Sequence, residues 1–111
     1  MTELSRRRCV PCEGKTPPLP VGDVAELKKL LRPEWQLIND GKSIQATFTF
    51  KNYYHTTAFV NAVAWIAHRE DHHPDISFGY KTATVAYWTH TAGGLTENDF
   101  ICAAKVDQLL S

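Results

Sequence analysis

Residues 52–74 read NYYHTTAFVNAVAWIAHREDHHP, and the fold turns on them. Tyr54, Ala58, Phe59, Ala62, Val63, Trp65 and Ile66 recur at helical spacing. They predict one long helix over 52–70 whose apolar stripe can cover one face of a sheet. Asp71-His72-His73-Pro74 ends that helix, because the residue before a proline avoids the helical region. Each flank then holds a pair of strands. On the N-terminal side, residues 35–38 form a short strand. Asn39-Asp40-Gly41-Lys42 is a turn with an Asp-Gly hairpin signal, and residues 43–50 alternate, with Ile44, Ala46, Phe48 and Phe50 on one face. On the C-terminal side, residues 76–80 and 83–88 are strands that turn at Lys81-Thr82 and are rich in β-formers such as Val85 and Tyr87.

Helices close both ends. Val24, Leu27, Leu30 and Leu31 repeat at helical spacing over 21–31, between a Gly22-Asp23 start and an Arg32-Pro33 stop. After a loop at 91–95 that contains Gly93-Gly94, Thr96-Glu97-Asn98-Asp99 is a capping signature for a last helix over 100–110. The order α-ββ-α-ββ-α predicts an α+β fold: a four-stranded antiparallel sheet with three helices packed on one face. Residues 1–20 carry Arg6-Arg7-Arg8, Cys9, Cys12 and prolines with no hydrophobic period. They read as an extended N-terminal arm, and residues 21–111 as a single domain.

The chain has 111 residues, enough for one core, and its 43% hydrophobic and 22% charged content is that of an ordinary globular protein. Twelve basic and twelve acidic residues cancel, which argues against a nucleic-acid partner and leaves little self-repulsion to oppose self-association. No apolar run approaches the roughly 20 residues needed to span a bilayer. No apolar segment follows the arginines, so there is no secretory signal, and the expected location is cytoplasmic. An odd count of three cysteines without an export signal points to reduced thiols. Cys9-Val10-Pro11-Cys12 has no helix predicted behind it and reads as a reduced pair on the arm.

The chemistry concentrates in three histidines. His72 and His73 precede a strand, and His90 follows that strand's hairpin partner, so the start and end of one hairpin bring the three side by side. Imidazole titrates near neutrality and can both give and take a proton. The bland alternative is a solvated turn with ordinary surface histidines. Zinc is a second chemical alternative, since three histidines are suitable donors, but adjacent histidines usually diverge, and no metal is expected.

These residues resemble the pterin-4a-carbinolamine dehydratase family. The likeness runs from about Leu19 to Leu110. It rests on His72-His73-Pro74, then Tyr80, Thr89-His90, Gly94-Leu95-Thr96 and Asp99. Trp35 and the Phe48-x-Phe50 strand end also fit, and the Cys-x-x-Cys-Glu-Gly arm with Pro17-Pro18-Leu19 resembles arms of some non-animal members. One departure is His68, which stands where many members carry a glutamate.

The resemblance implies dehydration of 4a-hydroxytetrahydrobiopterin to quinonoid dihydrobiopterin, with no cofactor. His72 and His90 would be the catalytic acid/base pair, and His73 would orient the pterin and share in proton movement. Asp71, Pro74, Trp88, Thr89 and Thr91 would line the substrate site. Asp99 would support His90 or the ring, or serve only as the capping acid of the last helix. Trp35 would cover the pterin or belong to the core. The resemblance further implies a homodimer or homotetramer. It also carries a competing function, a non-catalytic dimerisation or assembly cofactor that binds a protein partner through a helix surface.

Overall fold

The computed structural model describes residues 3–10 and 16–111. Its elements are α1 (Glu3–Arg6), α2 (Val21–Lys28), β1 (Gln36–Ile38), β2 (Ser43–Thr49), α3 (Tyr53–Glu70), β3 (Asp75–Phe78), β4 (Thr82–Tyr87) and α4 (Glu97–Gln108). The strands form one antiparallel sheet in the order β1-β2-β4-β3, so the two hairpins meet where β2 pairs with β4. The α+β expectation holds.

The alternation in β2 and β4 decides which face is covered. Ile44, Ala46 and Phe48 stand opposite Tyr87, Val85 and Ala83, and all six are buried. Their neighbours Thr47, Thr49 and Thr82 face solvent. The helices supply the other half of the core: Phe59 and Val63 from α3, and Phe100, Ile101, Ala103, Ala104 and Val106 from α4. An aromatic chain runs through it, with Trp35 edge-on to Phe48 at 5.9 Å and Phe48 edge-on to Phe59 at 5.4 Å. Such pairs contribute about 0.5–1.5 kcal/mol each beyond the area they bury.

Turn chemistry follows the side chains. Asn39, Asp40 and Gly41 all take positive φ between β1 and β2, a run that only glycine and short polar residues adopt readily. Asn52 starts α3 by accepting the His55 N–H on its side chain at 2.9 Å. Thr96 and Asp99 form the capping box of α4, with Asp99 Oδ2 accepting the Thr96 N–H at 2.9 Å.

Three expectations are corrected. The buried stripe of α3 is narrower than its sequence suggests: Thr56, Phe59, Val63 and Ala67 face inward, while Tyr54 and Trp65 are 80% and 59% exposed. The arm is not extended throughout. Glu3–Arg6 make a helical turn that packs on α4 and buries Leu4. The loop after β4 contains a 3-10 turn at His90–Ala92, closed by the Gly93 and Gly94 N–H groups on the Thr89 carbonyl. Cys12 lies outside the described residues.

Candidate active site

Helix α3 ends on a residue in a left-handed conformation, and that residue is Asp71 (φ 51°, ψ 45°). The N–H groups of Asp71 and His72 both return to the Ala67 carbonyl, which turns the chain sharply out of the helix. Aspartate tolerates this conformation better than most residues. The turn throws His72 back over the end of the sheet and leaves His73 facing solvent.

His72 meets α4 there. Its Nε2 lies 2.6 Å from Asp99 Oδ1. Its ring is stacked on Tyr87 of β4, 6.0 Å between centroids and 6° between planes. Asp99 is fully buried, and its other oxygen accepts from the Thr89 hydroxyl at 2.8 Å and the Thr96 N–H. An ionised carboxylate only accepts hydrogen bonds, so it holds the proton of a neutral His72 on Nε2. That leaves Nδ1 with a free lone pair. Hydrogen bond and stack together fix the plane of one imidazole.

A cavity of about 640 Å³ opens beside this pair. Its walls include Asp71, His72, His73 and Pro74 from the end of α3, and Trp88, Thr89, His90 and Thr91 from the end of β4. The size suits a small planar ligand, since ligand sites commonly span about 300–1,000 Å³. The Trp88 and His90 rings approach to 3.8 Å between centroids. Three histidines from two chain segments thus border one cleft, as the hairpin geometry predicts. No group of three or more His, Cys, Asp or Glu among the described residues is arranged to hold a metal ion.

Trp35 and Asp99 do not line the cavity. Trp35 does not reach the cavity: it is wholly buried in the core, its indole N–H donating to Asp107 at 2.8 Å. Asp99 bonds to His72 rather than His90, and lies behind the cavity wall rather than in it. It is also the capping acid, so the structural and chemical readings of Asp99 hold together. The His68 ring lies tilted against Trp65, 5.2 Å between centroids, and does not line the cavity.

The remaining wall comes from residues that the motif reading passed over: Cys9, Val10, Glu70, Asp75 and Asn98. Here the arm is stitched to the body. Asn98 accepts the Val10 N–H at 3.0 Å and donates to the Val10 carbonyl at 2.6 Å. Glu70 accepts the Cys9 N–H at 2.8 Å and pairs with Arg8 at 3.0 Å. Burial pushes the Glu70 carboxyl up, but the Cys9 hydrogen bond and the charges of Lys105 and Arg8 outweigh it and hold the group below its ordinary value.

Comparison with known proteins shows the family and the fold. The family model for pterin 4 alpha carbinolamine dehydratase matches residues 18–109. A Nitrosomonas europaea protein named "Putative pterin-4-alpha-carbinolamine dehydratase" is 57% identical over 107 residues, covering 96% of this chain and 93% of the relative. A crystal structure described as a transcriptional coactivator/pterin dehydratase from Brucella melitensis superposes with a TM-score of 0.79 at 28% identity, covering 85% of this chain and 99% of that one. A pterin dehydratase-like protein, described as a RuBisCO assembly factor of the alpha-carboxysome, matches with a TM-score of 0.60 at 27% identity, covering 68% and 88%.

Proposed function

This chain belongs to the pterin 4 alpha carbinolamine dehydratase family, and from that premise we propose that it is a lyase that dehydrates 4a-hydroxytetrahydrobiopterin to quinonoid dihydrobiopterin by histidine acid/base catalysis. The observation that carries the mechanism is the His72–Asp99 pair at the edge of a cavity shared with His73 and His90.

The reaction moves two protons. One goes to the 4a-hydroxyl, which leaves as water, and one comes off the ring nitrogen as the C=N bond forms. His72 presents the Nδ1 lone pair and takes the ring-nitrogen proton. The imidazolium so formed is stabilised by the buried Asp99 carboxylate on its other nitrogen. His90 delivers the proton to the departing hydroxyl, and His73 orients the pterin. Asp71, Pro74, Trp88, Thr89 and Thr91 shape the walls. Exchange with solvent resets the two histidines, and no cofactor enters the cycle.

Stopped-flow dehydration of freshly generated carbinolamine tests the proposal. The wild type should exceed the uncatalysed rate, and His72→Ala and His90→Ala should each stay folded and lose about 10²-fold or more in kcat. Full activity in either variant overturns the assignment.

A cytoplasmic site of action and self-association into a dimer or tetramer belong to the same proposal. No helix among the described residues is long and apolar enough to cross a membrane. Among the described residues the sheet ends in two unpaired edges, β1 and β3, that a second copy can use. The second reading is a binding module, favoured by exposed Trp65 and Tyr54 on the outer side of α3. Absence of dehydration above background, with a protein partner lost on Trp65→Ala, would select it instead.

A further inference from the structure

One cavity-wall residue has no part in that proton chemistry. Cys9 borders the cleft from the arm, and its Sγ lies 3.4 Å from Sγ of Cys102, a residue 93 positions away that is buried in α4. Cys102 follows Asp99, the partner of His72, by about one turn of α4. The Cys9 backbone is anchored as well, its N–H held by Glu70, the residue just before Asp71-His72-His73-Pro74. Two thiols from opposite ends of the chain therefore meet where the arm closes the cleft.

We propose that Cys9 and Cys102 form a reversible disulfide that fastens the arm over the cavity and lowers turnover under oxidising conditions. The regulatory half of this inference rests on the dehydratase reading of the cleft; the thiol chemistry does not. An S–S bond needs about 2.05 Å between sulfurs, so oxidation draws the two groups together by more than 1 Å from the contact they already make.

The chemistry requires a hydroperoxide as oxidant. Cys9, half-buried at the cleft, is oxidised first: its sulfur takes one peroxide oxygen, becoming a sulfenic acid, and water or an alcohol leaves. The hydrogen bond to Cys9 and burial both hold Cys102 in its protonated form, pushing its thiol far above the ordinary range. Cys102, buried and 3.4 Å from the Cys9 sulfur, is the resolving thiol. Its sulfur attacks the Cys9 sulfenic sulfur, the S–S bond forms, and the hydroxyl leaves as water with the Cys102 proton. Two thiols lose two electrons and two protons, and the peroxide is reduced. In a compartment that keeps thiols reduced, such bonds are transient and act as sensors.

The full chain carrying Cys12→Ser isolates the pair. Hydrogen peroxide should remove two titratable thiols from it, lower its mass by two hydrogens without a disulfide between chains, and give a Cys9–Cys102 linked peptide that dithiothreitol cleaves. Its kcat/KM should fall about tenfold on oxidation and recover on reduction, since a misplacement of about 1 Å can cost up to about 10²-fold. With Cys102→Ala added, no linkage should form, and the Cys9 sulfenic acid should be trapped by dimedone.

Two surviving thiols, a link between chains, or an oxidised enzyme with unchanged kcat/KM overturns the inference. The linkage is read by mass and thiol count, which need no turnover. A reduced protein that links but does not dehydrate the carbinolamine overturns the proposed activity and its redox control, and leaves only the thiol pair standing.

Discussion

Asp99 carries two tasks on one carboxylate, and they can be separated. Oδ2 accepts the Thr96 N–H at the start of α4, while Oδ1 faces His72. In Asp99→Asn, the amide oxygen stays with the backbone donor and the NH₂ group turns to His72 Nε2. The imidazole must then accept on Nε2 and carry its proton on Nδ1, the wrong tautomer for a base. We expect kcat to fall by about 10²-fold or more, with far-UV circular dichroism unchanged. Undiminished kcat would show that the pair is only a cap. Tyr87 offers the complementary case. Its ring stacks on His72, but its hydroxyl is buried and makes no hydrogen bond to any described residue. Burial accordingly pushes the phenol well above its ordinary range. Tyr87→Phe keeps the stack and removes the stranded hydroxyl. It should raise stability by about 1 kcal/mol, seen as a Tm increase of about 4 °C, with kcat unchanged. A lower Tm would mean that the hydroxyl is satisfied.

The join between arm and body is the least predictable element, and it is governed by charge as well as shape. Glu70 has a folded pKa below 4.5, so its pairing stabilises the fold above that pH and is lost as pH falls through the lower folded value. Asp107 runs the other way. Burial raises its carboxyl above the ordinary 3.8 despite the bonds from Trp35 and Arg32, so acidification just above that value restores stability there. Glu70→Gln keeps an acceptor for Cys9 but removes the charge. Its Tm deficit against wild type should be full above about pH 4.5 and shrink as the pH drops below it. A deficit that stays constant across pH 3–6 would assign the anchor to shape alone. None of this join was legible in the sequence. Its partners are 61 and 88 residues apart, and Glu70 and Asn98 look like ordinary helix-end polars. The hairpins and the two longer helices were legible, because alternation, the Asp-Gly turn and the Thr96–Asp99 capping box are local signals. Trp65 misled for the opposite reason: periodicity counts it as apolar, but α3 meets the sheet and α4 over a stripe too narrow to include it.

At the scale of the whole molecule, the site is a convergence of chain ends on one edge of a sheet. The histidines follow α3 and β4, the orienting carboxylate opens α4, and the outer wall is residues 9 and 10. The motif picks out the three imidazoles that line the cavity, because they lie at the start and end of a single hairpin. It could not reveal that Asp99 chooses His72 over His90, since that depends on how α4 crosses the sheet. Such a site has no local stability of its own. His72 is held by Tyr87 and Asp99, and both are among the most deeply buried side chains of the one core. Loss of activity on heating should therefore coincide with loss of the far-UV helical signal, in a single transition with one midpoint. Val10 joins that unit through Asn98 rather than through the core. Asn98→Ala severs both bonds to Val10 and should raise KM for the carbinolamine several-fold while leaving the two heating curves superimposed. If activity instead melts well below the helical signal in the wild type, the His72–Asp99 pair is held by the arm rather than by the core, and the arm, not α4, is what organises His72.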